Sequence, residues 1–189
     1  MAQSVQETRQ QYIPPKALDS PYPLIDSDPH IRRVYGYARP VDWAGGAGIA
    51  VLPMGMMYWF EWFDPAKIGR AGWAKMTRLN TAVGVVGGLL YVAQQSTYRF
   101  YGFKENKREQ EMDMREMVAK VKKGEPLYGK LSLTPHMQGV AARNSRYSGT
   151  FLYTLPWFNF VNHEQHGIDT AKYYQQAERE LEAERTGNS

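Results

Sequence analysis

Residues 79–98 read LNTAVGVVGGLLYVAQQSTY, twenty positions without a charge between Arg78 and Arg99. A helix rises about 1.5 Å per residue, so this stretch is long enough to cross the roughly 30 Å hydrocarbon core of a bilayer. Upstream, a second uncharged stretch of eighteen residues runs from Trp43 to Phe60. The remainder of the chain is polar. The pattern predicts an all-α membrane protein: a two-helix transmembrane hairpin with an extended Pro-rich N-terminal arm and a polar, partly helical C-terminal tail. The expected boundaries are an arm over 1–42, a first transmembrane helix over 43–63, a basic loop over 64–78 and a second transmembrane helix over 79–101. The tail then fills 102–189, with helices at about 104–122 and 170–185.

Each span carries local signals of its setting. The first begins in Ala44, Gly45, Gly46, Ala47 and Gly48 and holds Pro53 near its centre. Proline is tolerated there in lipid, where neighbours re-satisfy the freed carbonyl. Tyr58, Trp59, Phe60, Trp62 and Phe63 form an aromatic cluster of the headgroup type, and Glu61 and Asp64 mark the exit into water. In the second span Gly84 and Gly88 stand four apart, the small-xxx-small spacing that lets two helix backbones approach. These two glycines are the expected packing residues. Between the spans, Lys67, Arg70, Lys75 and Arg78 form a basic cluster without an acid.

Outside the spans, the sequence asks for surfaces to cover. Pro14, Pro15, Pro21, Pro23, Pro29 and Pro40 hold 11–42 in extended geometry, while Tyr12, Tyr22, Tyr35, Tyr37, Leu24 and Ile25 need apolar neighbours. The arm shows no core of its own, so another protein is expected to provide one. Met114, Met117, Val118 and Val121 fall at i, i+3, i+4 and i+7, a narrow apolar stripe on a charged helix that is expected to lie against a larger neighbour. The aromatic segment 151–161 is too short to span and is interrupted by Pro156.

The chemistry is mostly negative. Net charge is +4 with both signs interspersed, which argues against nucleic-acid binding. There is no cysteine, and so no disulfide, thiolate metal site or iron–sulfur ligation. His163 and His166 stand at i and i+3 rather than the i and i+4 of a helical zinc site, so a metal is not expected. Glu61 and Asp64 read as span ends rather than cation ligands. Asp, Glu, Lys and His are absent from the uncharged cores of both spans, and intramembrane relays need such groups. The first forty residues are too acidic for a cleavable presequence, and any targeting signal is expected within the hairpin. A chain with spans and anchors but no catalytic residue or cofactor of its own is expected to work in an assembly, not as a free monomer.

The stretches YPLIDSDPH (22–30), RRVY (32–35) and YARPVDW (37–43) resemble the fungal 21 kDa accessory subunits of mitochondrial complex I, the NADH:ubiquinone oxidoreductase. KLSLTPHM (130–137) and YTLPWFNF (153–160) are similar to the C-terminal region of that family. The resemblance implies a supernumerary, non-catalytic subunit of the membrane arm in the mitochondrial inner membrane, supporting assembly and stability. Its partners would be core and accessory subunits and membrane lipids, without nucleic acid. In that setting the positive-inside rule places the basic loop in the matrix and the termini in the intermembrane space. Trp43, Lys67, Arg70 and Arg78 are then candidates to hold a structural phospholipid such as cardiolipin. The alternative is a membrane adaptor in another inner-membrane complex such as a protein translocase. A lipid-modifying enzyme would have to work with Glu61, Asp64 and the distant histidines alone.

Overall fold

A computed structural model describes residues 18–131, 133–152, 154–155 and 157–187. Tyr12, Pro14 and Pro15 of the expected arm, and Tyr153 and Pro156 of the aromatic segment, lie outside the described residues. The described chain is helical. Helices α1 (Ile31–Gly36), α2 (Pro40–Phe63), α3 (Arg70–Phe100), α4 (Lys107–Lys122), α5 (Pro135–Asn144) and α6 (Ala171–Gly187) follow in order, with a 3-10 turn at Ser148–Phe151. A single parallel bridge joins His30 to Asn159, and among the described residues no strand forms. The chain divides into two compact units.

The first unit comprises Arg32–Tyr98 and Gly149–Trp157. Its helix α2 opens with Pro40 at its start and with the buried Asp42 carboxylate accepting the Arg39 N–H at 2.8 Å. An acid there also suits the positive end of the helix dipole. The helix continues through Pro53 to Phe63. Helix α3 begins at Arg70, earlier than the uncharged stretch, because Ala71, Ala74, Lys75 and Met76 are good helix formers and no proline interrupts them. The expected basic loop therefore contributes most of its cations to helix.

Gly46 meets Gly88, Ala50 meets Gly84, and Asn80 Nδ2 reaches Met57 Sδ at 3.1 Å. Residue numbers descend on one helix as they rise on the other, so α2 and α3 run antiparallel. By length and composition α3 qualifies as a membrane span, and it is the one helix among the described residues that does. Helix α2 has 24 residues, with Pro53 inside it and Glu61 within its aromatic end.

The second unit gathers the described parts of Met1–Ile31, Arg99–Ser148 and Phe158–Ser189. Its core is Met117, Leu127 and Tyr173, with Met114, Val121, Tyr128 and Ile168 packed around them. The apolar stripe of α4 thus finds its cover in this chain, on α6 and the loop residue Leu127, where the sequence reading looked to a larger neighbour. Tyr173 donates to Asp113 Oδ2 at 2.5 Å, and Lys122 reaches Glu180 and Glu184, each at 2.8 Å. Contacts advance together along both helices, so α4 and α6 lie parallel, joined by a long crossover.

The arm is also covered by its own chain. Ile25, Asp26, Ser27 and Asp28 are buried. The Tyr22 N–H donates to the Gly102 carbonyl at 3.1 Å, and that of Ile25 to the Phe100 carbonyl at 2.9 Å. Buried Asn106 donates to the carbonyls of Pro23 and Arg99, both at 2.8 Å. Extended, proline-punctuated backbone keeps its N–H groups free for such bonds, which is why this segment docks without forming a strand.

Candidate functional site

Two arrangements carry the specific side-chain geometry. The first is the contact between α2 and α3. A Cβ added at Gly84 would fall on the Ala50 carbonyl oxygen, and one added at Gly88 would fall on the Gly46 carbonyl oxygen. Reciprocally, a Cβ at Gly46 would stand 2.9 Å from the Gly88 carbonyl oxygen and 2.7 Å from Val92 Cγ2. Backbone lies against backbone, so neither side can yield by turning a rotamer. The sequence reading named Gly84 and Gly88 but missed their counterparts Gly46 and Ala50. The signal was present: these two also stand four apart on an Ala/Gly-rich helix. By contrast, a Cβ on Gly87 would sit 3.6 Å from Ile49 Cγ2, an ordinary contact.

The second arrangement lies in the other unit and ties residues 26–28 to residues 159–167. His166 Nδ1 faces Asp26 Oδ1 at 2.7 Å, and its Nε2 faces the His163 carbonyl at 2.7 Å. Both ring nitrogens therefore meet acceptors, and each donates when it carries its proton. His163 Nδ1 accepts the Gln165 N–H at 3.1 Å, and its Nε2 lies 2.8 Å from Asp28 Oδ2 and 3.0 Å from the Asn159 amide nitrogen. The two imidazoles stack at 4.5 Å, and Tyr128 stacks on His166 at 3.7 Å. Backbone completes the clasp. Ser27 N–H and Oγ both donate to the His166 carbonyl, at 3.1 and 2.7 Å, and the Asp28 N–H donates to Asp26 Oδ1 at 2.9 Å. Gly167, at φ +71°, lets the chain turn beside Ser27, where a Cβ would come within 2.9 Å of the Ser27 hydroxyl.

All four side chains are at most 4% exposed. Burial raises the Asp28 carboxyl above its ordinary range, opposed by the hydrogen bond and charge of His163. A raised acid stabilises the fold below its unfolded value and loses that contribution as pH rises through the raised folded value. Asp28→Asn keeps an acceptor for His163 and removes the ionisation. Its unfolding midpoint should therefore fall less than that of the parent as pH rises from about 4 to 7. Thermal melts of the full chain in detergent across that range check this; parallel curves would contradict it.

The remaining sequence candidates are scattered. Trp43 lies in the first turn of α2, Lys67 between the helices, and Arg70 and Arg78 on α3. Trp43 lies near the level of Val92, about 20 Å of helix from Arg78 and further from Arg70. Glu61 Oε2 accepts the Ala66 N–H at 3.0 Å and helps end α2, while the Asp64 N–H donates to the Phe60 carbonyl. Among the described residues, no three His, Cys, Asp or Glu side chains stand where they could hold a metal ion. Asp26 and Asp28, the partners of the two histidines, were invisible to the sequence reading because more than 130 residues intervene.

Comparison with known proteins converges on one family. Residues 19–105 match the model described as NADH-ubiquinone oxidoreductase complex I, 21 kDa subunit. Residues 114–189 match the C-terminal region of the NADH-ubiquinone oxidoreductase 21 kDa subunit. The NADH-ubiquinone oxidoreductase 20.9 kDa subunit of Neurospora crassa is 59% identical over 176 residues, covering 93% of each chain. The chain belongs to the family of the 21 kDa subunit of NADH-ubiquinone oxidoreductase complex I.

Proposed function

We propose that this chain is a non-catalytic accessory subunit of mitochondrial respiratory complex I, held in the inner membrane by its helix pair and supporting assembly and stability of the membrane arm. The observation that carries this reading is the identity with the Neurospora crassa complex I subunit, which extends over nearly the whole of both chains. Its partners are then the other subunits of the complex, and the electron-transfer chemistry belongs to them.

The finer reading is that both α2 and α3 cross the bilayer as a hairpin. Antiparallel packing through glycines supports it, as do the exposed apolar side chains Val51, Leu52, Leu79 and Val86. The basic residues around Lys67 and Arg70 then face the matrix, and the segments flanking the pair face the intermembrane space. On this reading Lys67, Arg70 and Arg78 lie at one headgroup layer and Trp43 at the other. A phospholipid such as cardiolipin at the basic layer would lack Trp43 as a partner.

Native gels of inner membranes test the assignment. The chain should migrate with the NADH-dehydrogenase activity band, and its deletion should lower the amount of intact complex. Migration wholly apart from that band, together with a translocase, would favour the adaptor reading.

A further inference from the structure

Residues 147–162, between Arg146 and His163, carry no charge. Within this stretch the backbone closes a turn that sorts the side chains. The Phe151 carbonyl accepts the N–H of Thr154 at 2.9 Å and that of Leu155 at 2.8 Å, and the Leu155 carbonyl accepts that of Trp157 at 2.7 Å. Residues four apart on a helical turn share one side. Phe151 and Leu155 are 65% and 68% exposed, whereas Leu152 between them is 1% exposed. Trp157 adds an indole that is 61% exposed. Leu152 thus ties the turn to the protein while three large apolar side chains face out. Clustered apolar exposure of this kind marks an interaction surface.

The surface belongs to the unit that holds the helix pair. Gly149–Trp157 groups with Arg32–Tyr98, and so with α2 and nearly all of α3, whose Val51, Leu52, Leu79 and Val86 are exposed. The feet of the loop are pinned to residues 27–31. The Tyr147 N–H donates to the Ser27 carbonyl and the Ile31 N–H to the Asn159 carbonyl, each at 2.8 Å. The neighbouring Ile25 and Asp26 N–H groups hold the carbonyl of Phe100, the last residue of α3. Trp157 stands two residues before Asn159, within about 7 Å along the chain. The uncharged stretch of α3 ends at Tyr98, so a spanning α3 leaves the hydrocarbon there. The adjoining headgroup layer is about 5–7 Å deep, and aromatic side chains concentrate in it.

We propose that Phe151, Leu155 and Trp157 form a membrane-surface anchor, seated among phospholipids at the boundary between headgroups and acyl chains where α3 leaves the bilayer. The inference rests on the reading of α2 and α3 as a membrane-spanning pair, whose lipid-facing surface the loop extends. The charge pattern favours lipid over another subunit. A protein interface surrounds its apolar centre with a polar rim, whereas the bilayer boundary accepts aromatic rings without any charge to match. An indole suits that boundary, because it joins a broad apolar body to a single N–H donor.

The test uses intact complex in phosphatidylcholine nanodiscs carrying a photoreactive phosphatidylcholine. Its reactive group sits either at the glycerol end of the acyl chain (shallow) or at the methyl end (deep), and labelled residues are located by peptide sequencing. The shallow lipid should label Phe151–Trp157 roughly fivefold more than the deep one, with the opposite preference at Val51, Leu52 or Val86. Tyr174 and Leu181 of α6, which are also exposed, should stay unlabelled and so control for exposure alone. Leu155→Asp with Trp157→Asp changes two exposed side chains and should lower shallow labelling of Phe151–Thr154 roughly fivefold, leaving Val51 and Leu52 unchanged. The comparison of the two lipids on the parent needs no substitution. Loop labelling no stronger than that of Tyr174, equal labelling by both lipids, an unchanged double variant, or cross-links from a photoreactive residue at position 155 to another subunit would each overturn the proposal. If the deep lipid labels Val51 or Leu52 while the loop stays unlabelled, the spanning pair stands and the anchor fails. If neither is labelled, the spanning reading fails and the anchor with it.

Discussion

Leucine at Gly84 will force α2 and α3 apart and remove most of the subunit from assembled complex I. The added Cβ alone falls on the Ala50 carbonyl oxygen, so Gly84→Ala should already weaken the pair. Overpacking a close contact costs about 1–3 kcal/mol, and more where backbone is the obstacle. Leucine adds three further carbons in the same direction, while Gly46 and Gly88 one turn away prevent a simple shift of the helices. Gly87→Ala is the internal control. It lies on the same helix, meets only Ile49 at ordinary van der Waals distance, and should leave abundance unchanged. Quantifying the subunit in the complex on native gels gives the readout. Equal abundance of the Gly84→Leu and Gly87→Ala proteins would eliminate the contact as a determinant of assembly.

Removing Asp26 will open the other unit. In Asp26→Ala, His166 Nδ1 loses its acceptor in a buried site, and the Asp28 N–H loses its own. Breaking a buried ionisable pair from one side costs about 3–5 kcal/mol, because the remaining partner is left desolvated and unpaired. Asp26→Asn restores an acceptor oxygen and should recover part of that loss. Hydrogen exchange reads the effect locally: the amides of Ile25 and Ser27, bonded to Phe100 and His166, should lose protection in Asp26→Ala by two or more orders of magnitude. Protection within a factor of three of the parent would show that the clasp does not hold this segment.

Much of the helical content was legible from sequence because helix formation is local. The stripe Met114, Met117, Val118, Val121 marks the buried side of α4, and the Gly84–Gly88 spacing marks a face of α3 that can approach another backbone. The arm misled for a physical reason. Residues with extended geometry satisfy their backbone through partners elsewhere in the chain, and composition alone gives no indication of which partners. Ile25 read as awaiting another protein, yet its N–H, like that of Asp26, donates to the Phe100 carbonyl. Likewise His163 and His166 read as polar residues following an aromatic segment, without a metal to hold. Both are buried, His166 against Asp26 and His163 against Asp28.

The sequence by itself determined the longer helix-forming segments of α2, α3, α4 and α6 but not the short helices α1 and α5, the lack of cysteine and of charge within the two apolar cores, and a resemblance to one accessory-subunit family. Each follows from spacing and composition over short distances or from matching residue order. The tertiary structure decided which surfaces meet: Gly46 and Ala50 with Gly88 and Gly84, α4 with α6, and Asp26 and Asp28 with His166 and His163. Those pairings depend on loop closure across tens to more than a hundred residues and on sub-ångström steric fit. No local pattern encodes either property, since the same glycine or aspartate would look identical in sequence with any other partner.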